Sequence, residues 1–184
     1  MFDGATLYGG RGTGAVVIEA AFALAGVEVT TVDVDAARRP HLLGLNPLGQ
    51  VPTLTLRDGA VWTESAAIVL SIAEAHPDAA LAPPAGDPDR ARFLRWLVFL
   101  VAAVYPTWSY VAPDGHRRAL WRQLDQAAGA PWFLGERRSA LDLYVAVFRR
   151  WEPAVVAEVA PRLAAIADRV EADPVVGPVL AARG

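Results

Sequence analysis

Two short segments carry residues whose types and spacing could bind a ligand. In the first, a cis bond between Val51 and Pro52 would turn the Val51 N–H and C=O outward, where an extended peptide could pair with them. The alternative is an ordinary proline on an edge strand. In the second, Thr63-Glu64-Ser65 precedes an apolar helix start. Ser65 and the first helical N–H groups could bind a carboxylate and Glu64 an ammonium, although the same residues also suit a plain helix cap.

A third segment, between a strand and a helix, is rich in glycine. Gly10, Gly12 and Ala15 fit the pattern G-x-G-x-x-A, and Asp33 follows about 20 residues later, as in a dinucleotide-binding domain. Such a domain would continue with further strand–helix units, whereas this chain turns to a hairpin and then to helices. We therefore expect no nicotinamide cofactor. A phosphate-binding P-loop is excluded because it requires lysine, and the chain has none.

Composition excludes several other kinds of site. The 184 residues include no cysteine, so disulfides, thiolate–zinc sites and a cysteine nucleophile are impossible. The three histidines, His41, His76 and His116, are too scattered for local metal-ligand spacing, and we expect no metal. A net charge of −3 offers no basic field for nucleic acid. The longest apolar run, Trp96–Val104, is too short for a membrane span, and the first residues do not resemble a signal peptide. We expect a soluble, cytoplasmic protein.

The elements that must position these residues differ between the two halves of the chain. The first half predicts the order β-α-β followed by β-β-α, with a loop at Ala36–Gly49 and a tight hairpin turn at Arg57–Gly59. The predicted strands are Ala5–Tyr8, Val27–Val34, Thr53–Leu56 and Ala60–Trp62, and the predicted helices are Gly14–Ala25 and Thr63–His76.

Beyond a proline-rich segment the strand pattern disappears. We predict one domain at 1–77, a linker at 78–87 and an all-helical domain at 88–184. Ser139 and Asp142 have the spacing of a capping box. The predicted helices are Phe93–Val104, Arg117–Ala128, Ser139–Trp151, Pro161–Ala172 and Pro174–Ala182.

These motifs together closely resemble the bacterial cytosolic glutathione S-transferases over almost the whole chain. The most specific parts are NPLGQVP followed by ESAAI, and the Leu-Gly then Ser-x-x-Asp helix start in the second half. The resemblance implies an α/β thioredoxin-like N-terminal domain plus an all-α C-terminal helical domain, the glutathione transferase architecture. It also implies a homodimer that uses glutathione as co-substrate, with no covalently bound cofactor.

The resemblance also implies which residues hold glutathione. The residue before a cis-proline in this family pairs its backbone with the cysteinyl part of glutathione, which corresponds to Val51 before Pro52. The acid–hydroxyl pair that holds the γ-glutamyl end corresponds to Glu64 and Ser65. Gln50 corresponds to a position that can lie near the tripeptide.

Two residues are candidates for activating the thiol. Thr13 stands at a common serine position, while Gly14 and Ala15 occupy positions where other members have further Ser or Cys. The alternative role of Thr13 is to cap the first helix. Tyr8, at the end of the first strand, is the competing candidate, because some classes use a tyrosine there.

The expected activity is conjugation of the glutathione thiolate to small hydrophobic electrophiles. Tyr105, Trp108 and Tyr110 follow a long amphipathic helix and are candidates for the electrophile site, although such aromatic residues often belong to a core. The segment from Pro106 to His116 is shorter than in typical members, which predicts a more open site or an altered dimer contact. The alternatives are a non-catalytic binding or assembly module, and another glutathione-dependent activity such as peroxide reduction or isomerisation.

Overall fold

The computed structural model describes residues 1–110, 112–113 and 115–183. The first half of the chain forms a mixed sheet with helices. Its strands lie in the order β2-β1-β3-β4, in which β1 and β2 run parallel and β3 pairs antiparallel with β1 and β4. In chain order the elements are β1 (Thr6–Gly9), α1 (Ala15–Leu24), β2 (Thr30–Asp33), α2 (Arg39–Leu45), β3 (Thr53–Thr55), β4 (Val61–Trp62) and α3 (Ser65–Ala75). This arrangement confirms the thioredoxin-like fold and is not the doubly wound sheet that a dinucleotide domain has.

The junction between β1 and α1 depends on a glycine. A Cβ atom on Gly9 would lie 2.6 Å from the Cβ of Ala15, so only glycine lets the end of β1 approach the start of α1 this closely. The turn places the backbone from Gly10 to Gly14 at the edge of the sheet where the parallel strands β1 and β2 both end. Ligands of open α/β sheets bind at this edge.

Two short helices were not predicted from the sequence. The predicted loop at Ala36–Gly49 contains α2, in which Pro40 occupies the first turn, where a missing N–H costs no hydrogen bond. Of the seven residues of α2 only Leu42 is buried, so the apolar repeat that predicts a helix is absent. The apolar repeat is also absent from α7 (Pro153–Val159), in which only Val156 is buried.

The second half is all-helical in its described part, as predicted. Its first helix, α4 (Arg90–Phe99), continues through a π-helical turn at Leu100–Val104 and a 3-10 turn at Tyr105–Trp108. The helices that follow are α5 (His116–Ala127), α6 (Ala140–Arg149), α7 (Pro153–Val159), α8 (Pro161–Glu171) and α9 (Val176–Arg183). None of the described helices is long and apolar enough to cross a lipid bilayer.

The central helix α6 begins at the predicted capping box, which is present. Ser139 Oγ accepts a hydrogen bond from the Leu141 N–H at 3.3 Å, and Asp142 Oδ2 accepts one from the Ser139 N–H at 2.7 Å. Asp142 Oδ1 also accepts from the Phe133 N–H at 2.8 Å, so this carboxylate fixes the preceding loop as well as the helix. The residues of α6 from Ala140 to Phe148 are all buried, and the hydrophobic core runs from the sheet through α1 to this helix.

Candidate functional site

A cleft of about 340 Å³ opens at the carboxyl end of β1. The turn after β1 forms one wall and the loop that contains Val51 forms another, so Thr13 and Val51 line the same cleft. The other lining residues are Gly9, Gly10, Arg11, Asp33, Val34, Asp35, Arg39, Leu42 and Gly49. Two of the residues singled out from the sequence, far apart along the chain, are therefore brought together at this edge of the sheet.

The loop before β3 is held by Asn46, a buried residue that the sequence analysis did not single out. Its Nδ2 donates to the Gln50 carbonyl at 3.1 Å and to Thr53 Oγ1 at 3.2 Å, and its Oδ1 accepts from the Leu48 N–H at 3.1 Å. The Val51–Pro52 peptide bond in this loop is cis. Within the described part of the chain, neither the N–H nor the C=O of Val51 makes a hydrogen bond, so both remain available to a ligand. The Gln50 side chain is exposed.

The start of α3 combines an unusual backbone with a braced hydroxyl. Glu64, which precedes the helix and is exposed, has φ 65° and ψ 101°, a conformation that a non-glycine residue adopts only at a cost. Ser65 Oγ accepts a hydrogen bond at 2.8 Å from the hydroxyl of Tyr144, a buried residue of α6. Because Ser65 accepts the tyrosine hydrogen, its own hydrogen can be donated to a ligand beside the first N–H groups of α3.

The Thr13 hydroxyl already has partners in this structure. Its Oγ1 donates to the Gly10 carbonyl at 2.8 Å and accepts from the Ala15 N–H at 3.3 Å. The hydroxyl therefore stabilises the turn into α1, which is the alternative, capping role of Thr13. To donate to a ligand thiolate it must rotate away from the Gly10 carbonyl.

The competing candidate, Tyr8, lies near the end of β1 and has a partner that the sequence did not suggest. Its hydroxyl lies 3.0 Å from Nε2 of His41, a residue of α2. Because α2 was not predicted, nothing in the sequence indicated that His41 would meet the end of β1.

The aromatic residues after α4 form a cluster with the end of α6. Tyr105 stacks on Phe148 with ring centroids 5.5 Å apart, and Trp108 meets Trp151 edge to face at 4.8 Å. Burial raises the pKa of Tyr105, and the backbone N–H of Gly14 partly offsets that rise. Tyr105 thus stays protonated at neutral pH and lies against the start of α1. Tyr110 is exposed.

Tyr144 and Tyr105 connect the two helix starts. Burial raises the pKa of Tyr144 far above its ordinary value, the hydrogen bond with Ser65 lowers it, and the neighbouring Tyr105 raises it further. The Tyr105 ring lies 3.4 Å from the position that a Cβ on Gly14 would take. The helical half therefore contributes one tyrosine hydroxyl to each helix start, Tyr144 at Ser65 of α3 and Tyr105 beside Gly14 before α1.

Known proteins that resemble this chain are described as glutathione S-transferases or GST-like proteins. A family model described as the glutathione S-transferase N-terminal domain matches residues 16–75. The uncharacterised GST-like protein YncG of Escherichia coli K12 is 37% identical, with 89% of this chain and 91% of that protein covered. Glutathione S-transferase GstA of Escherichia coli O157:H7 is 28% identical over 86% of this chain and 89% of that protein.

Solved structures agree with this comparison. A sphingomonad glutathione S-transferase complexed with glutathione is 30% identical and superimposes with a TM-score of 0.84, covering 97% of this chain and 98% of that one. Both the sheet half and the helical half are therefore matched. The chain belongs to the glutathione S-transferase family.

Proposed function

We propose that the protein conjugates the glutathione thiolate to small hydrophobic electrophiles. The observation that carries this proposal is the pair of unbonded backbone groups on Val51, beside a cleft that Thr13 also lines. An extended cysteinyl residue can pair with these groups as a further strand would. In that position its thiol lies between Val51 and the start of α1. The glutathione complex of the sphingomonad relative supports glutathione as the ligand.

The γ-glutamyl end of glutathione would lie at the start of α3. There the Ser65 hydroxyl and the first helical N–H groups bind its carboxylate, and Glu64 binds its ammonium. The strained backbone of Glu64 supports this placement, because residues with such dihedral angles concentrate at ligand sites. Gln50, exposed beside Val51, is within the same loop and contacts the remainder of the tripeptide.

Activation of the thiol requires one hydrogen-bond donor. A thiol has a pKa of about 8.5, and a hydrogen bond to a charged acceptor contributes about 1.5–3 kcal/mol, which lowers the pKa by about 1–2 units. Thr13 is the proposed donor and Tyr8 the alternative. The thiolate then attacks an electrophilic carbon: a C–S bond forms, the bond to the leaving halide breaks, and the thiol proton passes to solvent. Tyr105 and Trp108 contribute the wall that faces the electrophile.

The remaining expectations concern the molecule as a whole. We propose a homodimer, which is supported by apolar side chains exposed on α2, on the loop after it, on β4 and on α4, namely Leu43, Leu48, Val61 and Val98. We also propose a cytoplasmic location and a division into domains at 1–77 and 88–184. Between them, the described chain has only a 3-10 turn at Pro77–Ala79 before α4 begins.

A non-catalytic binding module is the second candidate. The hydrogen bond from Thr13 to the Gly10 carbonyl favours it, because that hydroxyl is not free to serve a thiolate. Turnover distinguishes the two functions, since a binding module holds glutathione without consuming an electrophile.

Turnover of chlorodinitrobenzene with glutathione tests the proposal. We expect Thr13→Val to lower kcat/KM at least tenfold, which corresponds to loss of one charge-assisted hydrogen bond. Thr30→Val, an exposed threonine on β2, is the matched control and should leave the rate unchanged. Loss of activity in Tyr8→Phe with Thr13→Val unaffected would assign the role to Tyr8. Glutathione binding without turnover in the wild type would favour the binding module.

A further inference from the structure

The last helix, α9, ends against the turn that carries the proposed thiol donor. The Gly12 N–H donates to the Arg183 carbonyl at 3.0 Å, and the two neighbours of Gly12 in the chain, Arg11 and Thr13, both line the cleft. This hydrogen bond holds the end of α9 beside the cleft, so it determines where the Arg183 side chain can reach. The proposed function assigns no role to that side chain.

The Arg183 guanidinium pairs with a carboxylate of the cleft wall. Its Nη1 contacts Oδ1 of Asp33, the last residue of β2, at 2.7 Å. The Asp33 side chain is 52% exposed and lines the cleft together with Thr13 and Val51, whereas the Arg183 side chain is only 19% exposed. A half-exposed negative charge in the cleft is therefore held by a positive charge that is mostly shielded from solvent.

Arg183 is the one ion-pair partner of Asp33 among the described residues. The other carboxylate of the cleft wall, from Asp35, pairs with Arg38 at 2.7 Å. The remaining charged residues of that wall are Arg11 and Arg39. Without Arg183, the cleft would therefore keep the Asp33 carboxylate but lose its counter-charge.

Glu19 holds the guanidinium from the side of α1. Its side chain is only 9% exposed and contacts Arg183 Nε at 2.7 Å, which leaves Nη1 directed at Asp33. Arg183 also lines a cavity of about 420 Å³, in which the other charged residues pair with one another: Arg149, Arg150 and Glu171. The pair with Glu19 does not involve Asp33, so the guanidinium stays in place when Asp33 is replaced.

A carboxylate on the cleft wall opposes a thiolate in the same cleft. Like charges disfavour ionisation, and a cation paired with the carboxylate reduces the repulsion. In a cleft of about 340 Å³, groups on facing walls are less than about 10 Å apart, which is close to the Debye length at physiological salt. Salt therefore screens their interaction only in part.

We propose that Arg183 is a positioning residue for the conjugation: it holds and offsets the Asp33 carboxylate, so that the cleft favours the thiolate of bound glutathione. Arg183 acts through Asp33 and does not touch the substrate. This inference rests on the proposed function, in which the thiolate is the reacting species.

The dependence of turnover on pH tests the inference. With saturating glutathione, the pH profile of kcat/KM for chlorodinitrobenzene reports the pKa of the bound thiol. We expect Arg183→Gln to raise this pKa by about half a unit to one unit, and Arg183→Lys to raise it less. Asp33→Asn should lower it by a similar amount. Asp3→Asn, which breaks an exposed ion pair with Arg57, is the matched control and should not shift the profile.

A purely structural role for Arg183 predicts a different result. Arg183→Gln would then lower the unfolding midpoint and kcat without moving the pH profile. Adding Asp33→Asn should return the pKa toward the wild-type value, because the unpaired carboxylate is gone, whereas a structural defect would persist. If Arg183→Gln does not fold, Asp33→Asn decides alone: a profile shifted to lower pH supports the inference, and an unshifted profile overturns it.

The ultraviolet absorbance of the bound thiolate gives the same pKa without turnover, which separates failure of the inference from failure of the proposed function. Opposite shifts in Arg183→Gln and Asp33→Asn, with no turnover by the wild type, would support the inference and reject conjugation. Turnover with unshifted profiles in both variants would overturn the inference and leave conjugation in place. Absence of glutathione binding would overturn both.

Discussion

At the scale of single residues, the Ser65 hydroxyl is held by a group from the other half of the chain. We expect Tyr144→Phe to weaken glutathione binding about three- to tenfold, because Ser65 loses the donor that directs its own hydrogen toward the ligand. Tyr110→Phe, at an exposed phenol, should leave the Kd unchanged. Calorimetric titration gives both values.

A purely structural role for Tyr144 predicts a different result. Removing the hydroxyl would then lower the unfolding midpoint without changing the Kd. Combining Tyr144→Phe with Ser65→Ala separates the two roles, since Tyr144 acts through Ser65 and should add no further loss of affinity in the double variant. Equal losses in the presence and absence of the Ser65 hydroxyl would contradict the positioning role.

The site residues that could be predicted from the sequence are those that belong to a recognisable local pattern. Val51 before Pro52, and the acid–hydroxyl pair at the start of α3, are local patterns of this kind. Tyr144 and His41 are not, because each acts only where distant segments meet: Tyr144 at α3, and His41 at the hydroxyl of Tyr8. Their signals in the sequence are those of an ordinary core residue and an ordinary surface residue.

At the scale of elements, the capping box of α6 makes the stability of the fold depend on pH. The Asp142 carboxyl is completely buried, and burial raises its pKa to about 6, although the N–H groups of Phe133 and Ser139 lower it. In the unfolded chain the pKa is about 3.9. The folded state therefore holds the proton more tightly, and the contribution of Asp142 to the free energy of unfolding is lost as the pH rises from about 4 to about 6.

Asp142→Asn isolates this contribution. We expect the stability of the wild type relative to this variant to be greatest near pH 4 and to fall to a constant value above about pH 6. Urea unfolding at several pH values measures the difference. A relative stability that is flat over this range, or that rises with pH, would contradict the assignment.

Prediction of the elements succeeded where burial imposes a period. In α6 the capping box and the long apolar run specify both the start and the type of the helix. In α2 and α7 a single buried residue, Leu42 or Val156, leaves no period to detect. The packing that holds α7 is provided by α5 and α8.

At the scale of the whole molecule, the last helix joins the helical half to the sheet half. Arg183 pairs with Glu19 of α1 and with Asp33 of β2, each at 2.7 Å, and the Glu19 side chain is only 9% exposed. Burial raises the pKa of Glu19, and Arg183 opposes that rise. Glu19 Oε1 has no hydrogen-bond partner among the described residues, so its charge depends on this arginine.

Removing Arg183 should therefore lower the free energy of unfolding by an amount that depends on pH. We expect Arg183→Gln to lower the free energy of unfolding by about 2 kcal/mol at pH 8, where Glu19 would be ionised without its partner. The loss should be smaller at pH 5 than at pH 8, because removing Arg183 raises the pKa of Glu19 still further and protonation at lower pH relieves the unpaired charge. Thermal unfolding at the two pH values measures this loss, with Arg122→Gln, at an exposed position of α5, as the control. A loss that does not depend on pH would assign Arg183 a packing role alone.

The architecture was the most predictable level. The features that support the resemblance to glutathione S-transferases are spread along the whole chain, so the resemblance rests on many independent positions. They are the order of strands and helices, the proline-rich segment and the two motif segments. How the halves meet was not predictable, because the contacts between Arg183 and Asp33 and between Tyr144 and Ser65 join residues far apart in sequence.

The most direct test of the account is a calorimetric titration of the protein with glutathione at neutral pH. We expect saturable binding that weakens about tenfold in Ser65→Ala, since a hydrogen bond to the ligand carboxylate is lost. Ser71→Ala removes a hydroxyl whose one hydrogen bond among the described residues is to the Ala67 carbonyl of the same helix, and this variant should bind as the wild type does. Absence of heat at millimolar glutathione, repeated at a second temperature, would contradict the account and show that the fold serves another ligand.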